Sequence, residues 1–189
     1  MRPTVVAGAV LCVLAACGSS GTKARTDTTE SSTSTSVGAP PTTSAATTPV
    51  SVAPTSPTAH LVAVRVARQQ GADRIVFEFS ERVPGYKVGY SPKPVVGTSG
   101  KEVPLAGPVA LVVRMEQASG VDLAGGGGCK QIYQGPNRVG AAGTQHVLEV
   151  AQVEDFEGVL TWAAGVKATA PFRVLTLESP PRLVIDVSS

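Results

Sequence analysis

From residue 60 to its end the chain predicts an all-β domain, an antiparallel β-sandwich or half-open barrel of about 7–9 short strands. Three observations predict it. Apolar residues recur with a period of two, the runs are rich in Val, Ile, Leu and Phe, and each run stops at Gly, Pro or a polar cluster. No stretch with a helical period and capping residues competes. The first run is residues 61–66, Leu-Val-Ala-Val-Arg-Val, and the second is residues 73–80, Asp-Arg-Ile-Val-Phe-Glu-Phe-Ser. Residues 86–90, Tyr-Lys-Val-Gly-Tyr, follow the Pro84-Gly85 turn signal, and residues 109–115 read Val-Ala-Leu-Val-Val-Arg-Met. Four more runs complete the set: 146–153, 158–162, 172–177 and 182–187.

Two of these runs echo each other. Residues 74–80, Arg-Ile-Val-Phe-Glu-Phe-Ser, and residues 182–188, Arg-Leu-Val-Ile-Asp-Val-Ser, share the order Arg, three apolar, acid, apolar, Ser. On a strand, Ile75, Phe77 and Phe79 then share one face, as do Leu183, Ile185 and Val187. Those faces are expected in the core. The opposite faces, with Arg74, Glu78, Arg182 and Asp186, form either an exposed ladder of ion pairs or the edge of a binding surface.

The first 59 residues are of a different kind. Residues 1–16 carry Arg2 and then an uncharged apolar run, too short for the roughly 20 residues of a membrane-spanning helix. That is the layout of a signal peptide. Leu14-Ala15-Ala16-Cys17 resembles the lipobox of bacterial lipoproteins, in which the cysteine thiol takes up diacylglycerol. The resemblance implies cleavage before Cys17 and anchoring to the outer, extracytoplasmic face of the cell membrane through lipid on Cys17, with two acyl chains making the attachment stable. Residues 17–59 are dominated by Ser, Thr, Ala, Pro and Gly and offer little to bury, so a disordered linker is expected. Such a linker reaches roughly 35–40 Å.

About 130 residues remain for folding, enough for a single core. Within them 13 Lys and Arg face 12 Asp and Glu, so no basic stripe points to nucleic acid, and none is expected as a partner. Cys129 is the one cysteine of this part and reads as an incidental loop residue after Gly125–Gly128. No constellation for catalysis emerges. His60 and His146 lie in no metal-ligand spacing, and Gly97-Thr-Ser-Gly100 lacks the pattern of a nucleophile elbow. The Gly run before Lys130 lacks the order of a phosphate loop, and the acidic corner Glu154, Asp155 and Glu157 reads as solvated. No enzyme activity, cofactor or metal is expected.

Five motifs, in order, carry a family resemblance: Asp73-Arg-Ile-Val-Phe-Glu-Phe79, Pro84-Gly-Tyr-x-Val-x-Tyr90, Asp155-Phe-Glu-Gly-Val-Leu-Thr-Trp162, Pro171-Phe-Arg-Val174 and Pro181-Arg-Leu-Val-Ile-Asp186. Residues 60–189 resemble the AMIN-like domain of actinobacterial, including mycobacterial, lipoproteins. That resemblance implies a non-catalytic envelope-binding module, with peptidoglycan or another envelope glycan as its ligand. An alternative is a module for envelope proteins or a small apolar ligand, assisting a membrane complex. Aromatic faces for sugar rings and Arg for carboxylates single out Arg74, Tyr86, Tyr90, Trp162, Arg173 and Arg182 as the candidate surface. Trp162 also suits a core position beside Leu160 and Ala164. Arg173 stands on an apolar face and suits a pairing with Asp155 or Glu157 as well as a ligand.

Overall fold

The computed structural model describes residues 44–124 and 128–189. The signal segment, Cys17 and most of the expected linker lie outside the described residues. All regular structure among the described residues is β. In chain order the strands are β1 (Val50–Val52), β2 (Ala59–Gln69), β3 (Ala72–Phe79), β4 (Gly85–Ser91), β5 (Val95–Val96), β6 (Glu102–Val103), β7 (Val109–Glu116) and β8 (Ala118–Ser119). They continue with β9 (Val121–Asp122), β10 (Lys130–Gln131), β11 (Arg138–Gly140), β12 (Val147–Phe156), β13 (Val159–Val166), β14 (Phe172–Glu178) and β15 (Pro181–Ser188). The eight long strands are the eight predicted runs, each extended at one or both ends by one to four residues or so.

Two sheets face each other. One runs β1-β4-β7-β13-β12-β11 and the other β14-β15-β3-β2-β8, with β5–β6 and β9–β10 as separate ribbons. Pairing is antiparallel except between β2 and β8, where Ala59 and His60 lie parallel to Ala118 and Ser119. Gln117, in the left-handed region at φ 55°, makes the corner by which the chain leaves β7 and joins the other sheet. The predicted inner faces are in the core: Ile75, Phe77, Leu183, Ile185 and Val187 are wholly buried, with Phe79 essentially so. Facing them from the larger sheet are Val88, Leu111, Met115, Leu160 and Trp162. The back of that sheet is covered too, where Val95 and Leu105 of the 92–107 segment pack on Ala110 and Ala163. This double burial explains why β13 has no exposed residue.

The expected linker does not extend to residue 59. Val50–Val52 pairs with Val88, Lys87 and Tyr86 of β4, and Ala46 forms a bridge with Phe172. Val-Ser-Val is an alternating triplet too short to stand out in a Ser/Thr/Pro-rich tract, and β4 supplies the hydrogen-bonding edge that orders it. Gly85 permits the approach: a Cβ there would lie 2.3 Å from Pro54 Cα.

Asp73 ties the sheets together. Its wholly buried carboxylate accepts the backbone N–H groups of Gln145 (2.9 Å), His146 (2.5 Å) and Val147 (2.9 Å), where the chain enters β12. Arg68 Nη1 donates to the other oxygen at 3.0 Å. Burial opposes the charge, but the three amides and Arg68 outweigh it and hold the Asp73 carboxyl below the usual carboxylate range. His146 therefore precedes β12 rather than opening it, and its ring Nδ1 is buried with no partner among the described residues.

Candidate functional site

At one end of the sandwich, β2, the β9–β10 ribbon and the β12–β13 turn enclose a groove of about 880 Å³. The turn is two residues long. Phe156 pairs with Val159, and Glu157 and Gly158 between them have φ of 50° and 74°, the left-handed pair that matches the twist of a hairpin. Glycine takes such a conformation freely; Glu157 takes it at a cost of about 1 kcal/mol. The result is a tight tip that leaves Phe156 57% exposed at the groove, with Leu123 70% exposed nearby. Single exposed apolar residues are ordinary on a protein surface. Here the two line the same concavity as His60, Asp122, Asp155 and Glu157.

The polar groups of the groove are held in place. Asp155 Oδ2 accepts the Gly120 N–H at 2.7 Å, and Asp122 Oδ1 accepts that of Ala124 at 2.9 Å. His60 Nδ1 lies 3.0 Å from Glu81 Oε1, and its Nε2 lies 3.9 Å from Asp122 Oδ1. Glu81 also accepts the His60 backbone N–H. Burial opposes ionisation of Glu81, but hydrogen bonds from Ser80 and His60 outweigh it and bring its carboxyl down to about 2. Exposed Cys129 is on the rim. The acidic corner read as solvated is thus divided. Asp155 and Glu157 line the groove, whereas Glu154 turns to the Thr98 amide (2.8 Å) and the Thr161 hydroxyl (3.1 Å). An aromatic ring beside fixed carboxylate acceptors can stack on a sugar ring and hold its hydroxyls. Among the described residues no group of three His, Cys, Asp or Glu side chains is placed to hold a metal ion.

A family model of the AMIN-like domain matches residues 59–189. The chain belongs to the AMIN-like domain family. No curated protein and no solved structure matched it.

The AMIN-like domain does not bring the six sequence-predicted residues together. Tyr86, Tyr90 and Trp162 point inward. Trp162 is wholly buried, edge-on to Phe77 at 6.0 Å and to Tyr133 at 5.7 Å, in the core position that its sequence neighbours also suited. Tyr90 packs on Phe172 at 5.7 Å, and its hydroxyl donates to the Ala170 carbonyl (2.7 Å) and accepts the Ala170 N–H (3.1 Å). Burial raises the Tyr86 and Tyr90 phenols, and in place of the predicted aromatic shelf Tyr86 is buried and Tyr90 partly buried against the core. Only the edge of Tyr86 reaches a hollow of about 520 Å³, beside Arg82, Pro84 and Leu177. The physical reason is parity: Tyr86, Val88 and Tyr90 share the face of β4 that closes the sandwich.

The three arginines lie on the outer face of the smaller sheet. In the AMIN-like domain the echoed motifs are neighbours, because β3 and β15 pair antiparallel. Arg74 therefore stands opposite Asp186, and Glu78 opposite Arg182. Arg74 chelates Asp186 through Nε (2.6 Å) and Nη2 (2.8 Å). Arg173 was expected either to pair with Asp155 or Glu157 or to meet a ligand; the pairing it makes is with Asp186, to whose Oδ2 it donates through Nε at 2.9 Å, because β14 sets it opposite that residue. Arg65 of β2 bonds Glu78 at 2.8 Å. The ion-pair ladder is present.

Sequence reasoning missed Phe156 and Leu123. A Phe-Glu-Gly turn motif was visible at 156–158, and a large apolar residue one position before a two-residue turn was the available signal.

Proposed function

We propose that the chain is a non-catalytic lipoprotein, anchored at the extracytoplasmic face of the cell membrane through Cys17, whose AMIN-like domain holds peptidoglycan or a related envelope glycan in the groove around Phe156. The observation that carries this reading is the exposed Phe156 ring, set on a left-handed turn beside Asp122, Asp155 and Glu157. Family membership and the Leu-Ala-Ala-Cys motif support the envelope setting. Strand addition by a protein partner is less well supported. The edge strands β1 and β11 have three residues each, and Ala46 already bridges to edge strand β14.

The test is sedimentation of the full chain with insoluble peptidoglycan. Binding is expected, and Phe156→Ala should weaken it by about tenfold, the contribution of one aromatic stacking contact. Thermal unfolding of that variant should be unchanged. Protein that stays in the supernatant at every salt concentration overturns the glycan reading. Anchoring is tested separately: Cys17→Ser should remove the lipid mass. A Cys17→Ser protein that still partitions with membranes, although its mass shows neither lipid nor an uncleaved signal, would refute the anchor.

A further inference from the structure

The outer face of the smaller sheet carries more arginine than its own carboxylates require. Asp186 is 2% exposed, and Arg74 alone satisfies it with a bidentate contact. Arg173, 46% exposed, adds a second guanidinium to the same carboxylate, with its Nη2 at 2.8 Å. The cluster Arg74–Asp186–Arg173 has a net charge of +1. Each guanidinium uses the Nε–Nη2 edge on Asp186, so neither Nη1 has a hydrogen-bond partner among the described residues.

A second group of two arginines and one acid stands four residues along, without the doubled contact. Glu78 is bonded by Arg65, 55% exposed, and stands opposite Arg182, whose Nε donates to the Pro180 carbonyl at 3.2 Å. Arg65–Glu78–Arg182 is again net +1. At the rise of a strand the two clusters are about 13 Å apart along β3 and β15. Between them runs a row of Leu175, Val184 and Val76, directly opposed across the strands. The face is thus net +2, in a folded region that is nearly neutral as a whole. Arg74 alone satisfies Asp186 and Arg65 alone bonds Glu78, so a stability role does not account for Arg173 or Arg182.

We propose that this face is a second binding site, distinct from the groove, for a linear polymer bearing phosphate or carboxylate groups, which lies along the strand direction and takes one oxyanion at each arginine cluster. Guanidinium forks suit both groups, because their planar N–H pairs match two oxygens. A polymer fits better than a lipid surface. Val184 is 2% exposed and Leu175 and Val76 beside it are half-buried, so the row between the clusters projects little apolar surface into a bilayer.

The probe is long-chain inorganic polyphosphate, titrated against the full chain over a range of salt. Binding is expected, with log affinity falling linearly against log salt as counterions are released. Arg65→Gln/Arg173→Gln leaves Asp186 its bidentate Arg74 and leaves Glu78 facing Arg182 across the strands, so thermal unfolding should change little. Its affinity should fall by tenfold or more, with the salt slope smaller by about 2. Arg65→Gln alone, at the more exposed position, should lose about half that slope. The charge-matched control is Lys87→Gln/Lys101→Gln, two exposed lysines outside this sheet, which should bind as the wild type does. Equal weakening by the control, or no binding of polyphosphate at low salt, overturns the proposal. So does arginine-dependent binding confined to vesicles of equal parts phosphatidylglycerol and phosphatidylcholine. None of these outcomes touches Phe156, so the groove reading stands or falls by itself.

Discussion

Asp73→Ala is expected to destabilise the domain by about 3–5 kcal/mol, measured as a lower urea midpoint at neutral pH. The substitution strips the acceptor from the Gln145, His146 and Val147 amides and leaves Arg68 without its carboxylate. A buried donor left unsatisfied costs about 1–3 kcal/mol, and Val147 is itself wholly buried. Asp73→Asn should cost less, because one acceptor oxygen survives. The same residue carries a pH signature. Its carboxyl is depressed in the folded state, so its contribution is fully present above the unfolded value, about 3.9, and is lost as pH falls through the lower folded value. The stability difference between wild type and Asp73→Asn should therefore be constant from neutral pH down to about 4 and shrink in stronger acid. Two curves that stay parallel through that acid range would show that the charge of Asp73 does not tie the sheets.

Trp162→Ala should cost a similar amount, about 3–5 kcal/mol, by a different mechanism. The indole fills the centre of the sandwich between Phe77 and Tyr133, and removing it leaves a cavity that two sheets cannot collapse to fill. Trp162→Phe should cost less than about 1.5 kcal/mol. Its ring keeps most of the packing, and the indole Nε1, buried without a hydrogen-bond partner among the described residues, is removed with the substitution. Circular dichroism during denaturation separates the two variants without relying on tryptophan fluorescence. A Trp162→Ala protein as stable as Trp162→Phe would mean that the core around this residue repacks freely.

Much of the fold was legible because strand faces follow a period of two. Ile75-Phe77-Phe79 and Leu183-Ile185-Val187 could be sent inward, and their charged faces outward, from spacing alone. Part of the candidate surface was misread for the same reason. Parity says that Tyr86 and Tyr90 share a face of β4; it does not say which face closes the sandwich. The tyrosines went inward because Phe172 and the Ala170 backbone supply partners for ring and hydroxyl. Arg173 likewise met Asp186 rather than Asp155, since a partner across strands is set by register, which pairs β14 with β15. Phe156 was in view as a residue, but its exposure depends on the turn that carries it and on what lies across the groove.

By itself, then, the sequence determined the eight long strands, the buried faces, the complementary order of Arg and acid in the echoed motifs, and the family resemblance. All four rest on order along the chain, which local chemistry reads directly. Tertiary structure decided which side of β4 was buried, that Val50–Val52 joins a sheet, that two arginines converge on one carboxylate, and that an exposed ring stands over a groove. Each of those depends on contacts between residues far apart in sequence, whose energies exist only once the sheets have met.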